Sequence, residues 1–167
     1  MAISPNAFSN VIDCDIHPTV PSLDALLPYM NEHWKDTIVQ RGVHELETIS
    51  YPKNAPLTVR PDWRLEKGVP AANVDLIKRQ ALDPFGTSIA VLNCLYGVQL
   101  LMSEDMASSF ASAVNDWIKA EFLDKEPRLR ASIVIPTQSP EMAVNEIERL
   151  ANDCLLYTSD AADESSS

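Results

Sequence analysis

Three ionisable side chains alternate along one short segment near the amino terminus, Val11-Ile12-Asp13-Cys14-Asp15-Ile16-His17. In a strand, residues two apart share a face with Cα atoms about 6.6 Å apart. Asp13, Asp15 and His17 are therefore expected on one face and Ile12, Cys14 and Ile16 on the other. Carboxylate and imidazole together suit zinc, with manganese and iron as alternatives. The spacing also fits a plainer reading, in which Asp15 hydrogen-bonds backbone at a strand end and His17 stands exposed before Pro18.

Other candidates lie further along. Arg60, Trp63 and Arg64 could contact a carboxylated substrate, because arginine binds carboxylates bidentately; a salt-bridged loop is the commoner arrangement. Asn93 and Tyr96 follow an apolar run, at the strand end where barrel enzymes gather substrate contacts, or they serve ordinary loop hydrogen bonding. His33 and His44 read as surface or packed histidines. Cys94 has no histidine partner close in sequence, which argues against a nucleophile.

These side chains need elements to position them. Val11–His17 has the alternation of a strand. Leu23, Leu26, Leu27 and Met30 keep helical spacing behind Ser22. From about Gly42 to Pro70 neither period holds, and Pro52, Pro56, Pro61, Gly68 and Pro70 punctuate a stretch that reads as a structured excursion over an active-site mouth. Helical spacing resumes over Ala71–Leu82 and stops before Asp83-Pro84 and Gly86. Within Ser88–Leu95, the run Ile89-Ala90-Val91-Leu92 is of the kind found in strands buried on both faces. Ser103 caps the clearest helix, whose stripe runs through Met106, Phe110, Ala113, Val114, Trp117, Ile118 and Phe122. Arg130–Pro136 contains the next strand, and Ser139-Pro140-Glu141 opens a helix with Ile147 and Leu150 inward. Apolar strands separated by amphipathic helices define an α/β chain with a parallel sheet. Both a barrel and an open doubly wound sheet remain compatible. No glycine-rich phosphate loop follows any strand, which weakens a nucleotide-binding reading.

Composition bounds the partners. The apolar share of 46% with 22% charged residues is that of an ordinary soluble globular protein. A net charge of −11 argues against nucleic acid and against an anionic membrane surface. Cys14, Cys94 and Cys154 are odd in number and far apart, as expected of reduced thiols. Met1–Asn10 lacks the pattern of a secretory signal. The apolar stretch Ile89–Met102 is interrupted by Asn93 and Gln99 and is too short to span a bilayer. The expected location is cytoplasmic.

Val11-Ile12-Asp13-Cys14-Asp15-Ile16-His17-Pro18 resembles the first strand of amidohydrolase-related proteins, amidohydrolase family 2, which include decarboxylases of the aminocarboxymuconate-semialdehyde type. The family's usual first-strand motif is His-x-His, with carboxylate-x-His variants, and Asp15 falls where the first histidine is usual. The likeness continues through Tyr51-Pro52-Lys53, Arg60-Pro61-Asp62-Trp63-Arg64, Leu82-Asp83-Pro84-Phe85-Gly86 and Leu92-Asn93-Cys94-Leu95-Tyr96-Gly97. It extends through Asn115-Asp116-Trp117 and Pro127-Arg128-Leu129-Arg130-Ala131-Ser132.

This resemblance implies the N-terminal part of a metal-dependent-hydrolase-type (β/α)8 TIM barrel, with about three strands present. It implies a divalent ion, zinc before manganese or iron, held by Asp15 and His17. The implied substrate is a small molecule, a carboxylic acid among the candidates, and the parent could assemble as a homo-oligomer. Hydrolytic members cleave a carbonyl-type bond, and others carry out non-oxidative decarboxylation. The family's catalytic aspartate and remaining ligands come from later strands, so no catalytic residue is carried over. The competing reading is a non-catalytic α/β binding or dimerising module.

After Asp153 the chain runs Cys154-Leu155-Leu156-Tyr157-Thr158-Ser159-Asp160-Ala161-Ala162-Asp163-Glu164 and ends in serines. This segment is similar to the translation of a transposon-end adapter used in sequencing libraries. The expected division is an incomplete barrel domain over residues 1–153 and a non-native, disordered tail over 154–167. Such a fragment is expected to be inactive alone, with Ile133-Val134-Ile135 on an open sheet edge and a tail that packs little.

Overall fold

The structure, a computed structural model, describes residues 10–46 and 59–153 together with the backbone of 156–157. Tyr51-Pro52-Lys53 and most of the residues 154–167 lie outside the described residues. Strand β1 (Val11–Ile16) is followed by two 3-10 turns, Leu23–Ala25 and Leu27–Tyr29, and by helix α1 (Glu32–Gln40). The helix expected behind Ser22 is thus two separate turns. Pro28 explains the break, because it has no N–H to donate into a continuing helix. Asn31 caps α1 by accepting from the Trp34 N–H at 3.0 Å.

Helix α2 (Val74–Ile77) widens into a π turn over Lys78–Leu82, and strand β2 (Thr87–Leu92) follows. Helix α3 (Glu104–Ile118) likewise widens over Lys119–Leu123 before strand β3 (Leu129–Ser132) and helix α4 (Pro140–Leu150). Ser103 caps α3 as its sequence predicts, accepting from the Met106 N–H. The expected stripe of α3 is buried from Phe110 to Phe122.

The strands pair in parallel in chain order β1-β2-β3, and β4 (Leu156–Tyr157) adds two residues beside β3. An open doubly wound sheet reverses its order at a switch point, so this progression is that of a (β/α)8 barrel, built here in part. Ala90, Leu92, Leu129 and Ala131 bury into one core with Leu82, Phe110, Val114 and Ile118. Among the described residues the opposite sheet face is left open: Ile12 and Ile89, paired in register, are 60% and 37% exposed. The β2 run is therefore buried on one face only.

One expectation at the far edge changes. Ile133–Ile135 lies beyond β3 rather than within it. The tail contributes Leu156 and Tyr157, which pair with Ala131 and Ser132. An edge strand offers free N–H and C=O groups to any extended segment, and that is the physical reason two tail residues can pair there.

Candidate functional site

The end of β1 departs from a regular ladder, and the departure builds the site. Asp13 pairs with Ala90 and Ile16 with Leu92, so three steps on β1 face two on β2. This is a β-bulge at Cys14-Asp15, a device that re-aims side chains. The expected alternation therefore fails: Ile12 and Cys14 are exposed, whereas Ile16 is buried. Past the bulge, Asp15 and His17 take the more open side. Asp13 does not join them, because its Oδ1 accepts the Asp15 backbone N–H at 3.0 Å.

Asp15 Oδ1 lies 3.4 Å from His17 Nε2, with the side chains 75% and 28% exposed. His17 Nδ1 lies 2.9 Å from the Asn93 backbone oxygen. A carbonyl only accepts, so Nδ1 donates to it and Nε2 is turned toward Asp15. A carboxylate oxygen and an imidazole nitrogen at this separation can share a cation, whether a proton or a metal ion. In a tetrahedral zinc site with bonds of about 2.0–2.2 Å, neighbouring donors stand about 3.3–3.6 Å apart. The pair fits two adjacent corners of such a site. Among the described residues, no group of three or more His, Cys, Asp and Glu side chains is placed to hold an ion.

Asn93 and Ser132 complete the cluster from the ends of β2 and β3. Asn93 Nδ2 donates to the Cys14 carbonyl at 2.9 Å and lies 3.4 Å from Asp15 Oδ1. The Ser132 hydroxyl donates to Asn93 Oδ1 at 2.7 Å. All four residues thus meet at the C-terminal ends of parallel strands, the functional end of barrel folds.

The remaining candidates lie elsewhere. Arg60 makes a bidentate ion pair with Asp62, at 3.0 and 2.7 Å, and stacks over Trp63 and Phe85. Arg64 donates to the Val59 carbonyl. Arg60 and Trp63 line a cavity of about 460 Å³ with Val11, Cys14, Phe85 and Thr87. Val11 and Thr87 start their strands, so the cavity centres toward the end of the sheet opposite His17. Tyr96 is buried against Phe110, with ring centroids 6.4 Å apart, and burial pushes its hydroxyl pKa up. His33 packs edge-on to Trp34. Burial pushes the Cys94 thiol up to about 12, in keeping with a non-nucleophilic role.

Sequence reasoning missed two buried ionic clusters, one at each end of the sheet. Asn115, fully buried, accepts the Val134 N–H at 2.8 Å and donates to the Val134 carbonyl at 2.9 Å. Its amide also donates to Glu146 Oε1 at 2.7 Å, and Glu146 accepts from Ser112 and from Arg149. Burial acts to raise the Glu146 pKa, but the Arg149, Ser112 and Asn115 hydrogen bonds outweigh it and leave the group below its ordinary value. At the other end of the sheet, hydrogen bonds from Arg128 hold Glu126 down to about 2, and Arg128 reaches on to Asp83. The only sequence signal for either cluster was a carboxylate with arginine two or three residues later, a spacing common on any surface.

The sequential parallel sheet with helices between its strands defines the framework of a (β/α)8 barrel, built here in part. The family model for amidohydrolases matches residues 12–155, and the chain belongs to that family. No curated protein matches the chain. No helix among the described residues is long and apolar enough to cross a membrane.

Proposed function

We propose that Asp15 and His17 are two ligands of a divalent metal centre, with zinc the best fit, in a hydrolytic barrel that cleaves a carbonyl-type bond of a small molecule. The observation that carries this reading is the 3.4 Å approach of Asp15 Oδ1 to His17 Nε2 at the C-terminal end of β1. A divalent ion supplies Lewis-acid activation of water and of a carbonyl group. The chain's own part is to present a carboxylate oxygen and an imidazole nitrogen side by side, with the ring's other nitrogen anchored on Asn93.

The amidohydrolase match favours hydrolysis over the decarboxylation of aminocarboxymuconate-semialdehyde-type relatives. Catalytic zinc sites use three protein ligands, so Asp15 and His17 by themselves bind an ion without turnover.

Calorimetric titration of the full chain with zinc chloride tests this reading. Binding is expected in the parent sequence and is expected to weaken at least tenfold in both Asp15→Ala and His17→Ala. Equal binding by all three proteins would remove Asp15 and His17 from the metal centre.

A further inference from the structure

A bulge leaves backbone groups without ladder partners, and a buried or half-buried orphan costs about 1–3 kcal/mol. At the β1 bulge two backbone groups take side-chain partners instead. The Asp15 N–H goes to Asp13 Oδ1, and the Cys14 carbonyl accepts from Asn93 Nδ2. Asn93 does more than fill one gap. Its backbone N–H donates to the Ile16 carbonyl at 2.7 Å, and its backbone oxygen accepts from His17 Nδ1. One residue therefore engages Cys14, Asp15, Ile16 and His17 in turn.

The orientation of the Asn93 amide is fixed chemically. The Cys14 carbonyl can only accept, so Nδ2 faces β1 and Oδ1 faces the Ser132 hydroxyl. No other side chain of similar size offers a donor on one side and an acceptor on the other. Aspartate would place a second carboxylate against Asp15, and leucine would leave the Cys14 carbonyl without a donor.

We infer that Asn93 is a positioning residue for the Asp15–His17 pair: it clamps the β1 bulge so that His17 presents Nε2 beside the Asp15 carboxylate, and Ser132 braces it from β3. The inference rests on Asp15 and His17 being a ligand pair, but the clamp exists without an ion and can be read without one. Asn93 acts through the two residues it holds and needs no contact with a substrate.

The test is the tautomer of His17 in metal-free full-length chain labelled with ¹⁵N-histidine, observed by long-range ¹H–¹⁵N correlation. The signal is assigned by its loss in His17→Gln. The parent chain is expected to show a single tautomer protonated at Nδ1. Asn93→Ala is expected to show a mixture of tautomers, and Ser132→Ala a smaller change in the same direction. Zinc chloride titration of the same proteins is expected to weaken about 10–100-fold in Asn93→Ala, the range for lost supporting contacts at metal sites.

A parent chain protonated at Nε2, or a folded Asn93→Ala with an unchanged tautomer, would overturn the inference. Should Asn93→Ala not fold, an unchanged tautomer in Ser132→Ala overturns it equally. Tautomer changes as expected in a chain that binds no zinc would support the clamp and refute the metal reading.

Discussion

Asn115 offers the sharpest quantitative test of how the site is held. It lies within α3, is fully buried, and completes both backbone hydrogen bonds of Val134, two residues past the Ser132 that braces Asn93. Asn115→Ala strands the Val134 N–H and carbonyl in the core and takes one donor from Glu146. Each buried backbone group left unsatisfied costs about 1–3 kcal/mol. Glu146 keeps Arg149 and Ser112, so its loss is smaller. The total is about 3–5 kcal/mol, a large share of the roughly 5–15 kcal/mol that stabilises a typical domain.

With a urea slope of about 2 kcal/mol per molar, the unfolding midpoint should fall by about 1.5–2.5 M. Tryptophan fluorescence can follow it, since Trp117 on the same helix is buried. Asn115→Asp adds a second arm. It keeps the acceptor for the Val134 N–H but sets a carboxylate against Glu146, so it should be at least as destabilising at pH 7. Acidification should recover part of that loss as the two groups share a proton. A midpoint that moves by less than about 0.3 M in Asn115→Ala would show that the Val134 bonds are not what secures this end of β3.

Four further outcomes are expected. Glu126, held from 4.5 down to about 2 by Arg128, contributes stability that is complete above its unfolded pKa and is lost as pH falls from about 4.5 toward 2. Acid titration of unfolding should show a slope in that window that Glu126→Gln removes. Gly97 has φ +68° just after the Asn93 strand end, so Gly97→Ala should cost about 1–2 kcal/mol in urea unfolding, whereas no change would mean the turn relaxes freely. Cys14 is exposed and Cys94 buried; mass spectrometry after brief alkylation of native protein should find Cys14 modified and Cys94 protected until unfolding. Lys119 pairs with the partly buried Asp153 near the end of α4. Lys119→Ala should therefore change unfolding by no more than about 1 kcal/mol, and a larger loss would mean that Asp153 anchors the chain more firmly than an exposed ion pair does.

The sequence determined the elements whose signals are local. α3 followed from Ser103 and a 3.6-residue stripe, and β2 from a β-branched and apolar run, because capping and periodicity act within one element. It also placed Asp15 and His17 on neighbouring positions of a strand end, since strand spacing is itself local. Helix α4 was legible for the same reason, although the burial of Glu146 within it was not.

What the tertiary structure decided was every feature that depends on a neighbouring strand. The bulge at Cys14-Asp15 arises from register against β2, and period-two alternation read from β1 alone cannot contain it. Asn93 read equally as a substrate contact and as a loop polar residue until the Cys14 and Ile16 carbonyls and the His17 ring were brought to it from 76 to 79 residues away. Arg60 and Trp63 had the right chemistry for a substrate but fold toward the start of β1, because chemistry can be read from residue type while location follows only from packing. The burial of Asn115 and Glu146 was not legible, since a polar residue on a helix is assumed to face water until its partners across the core are known.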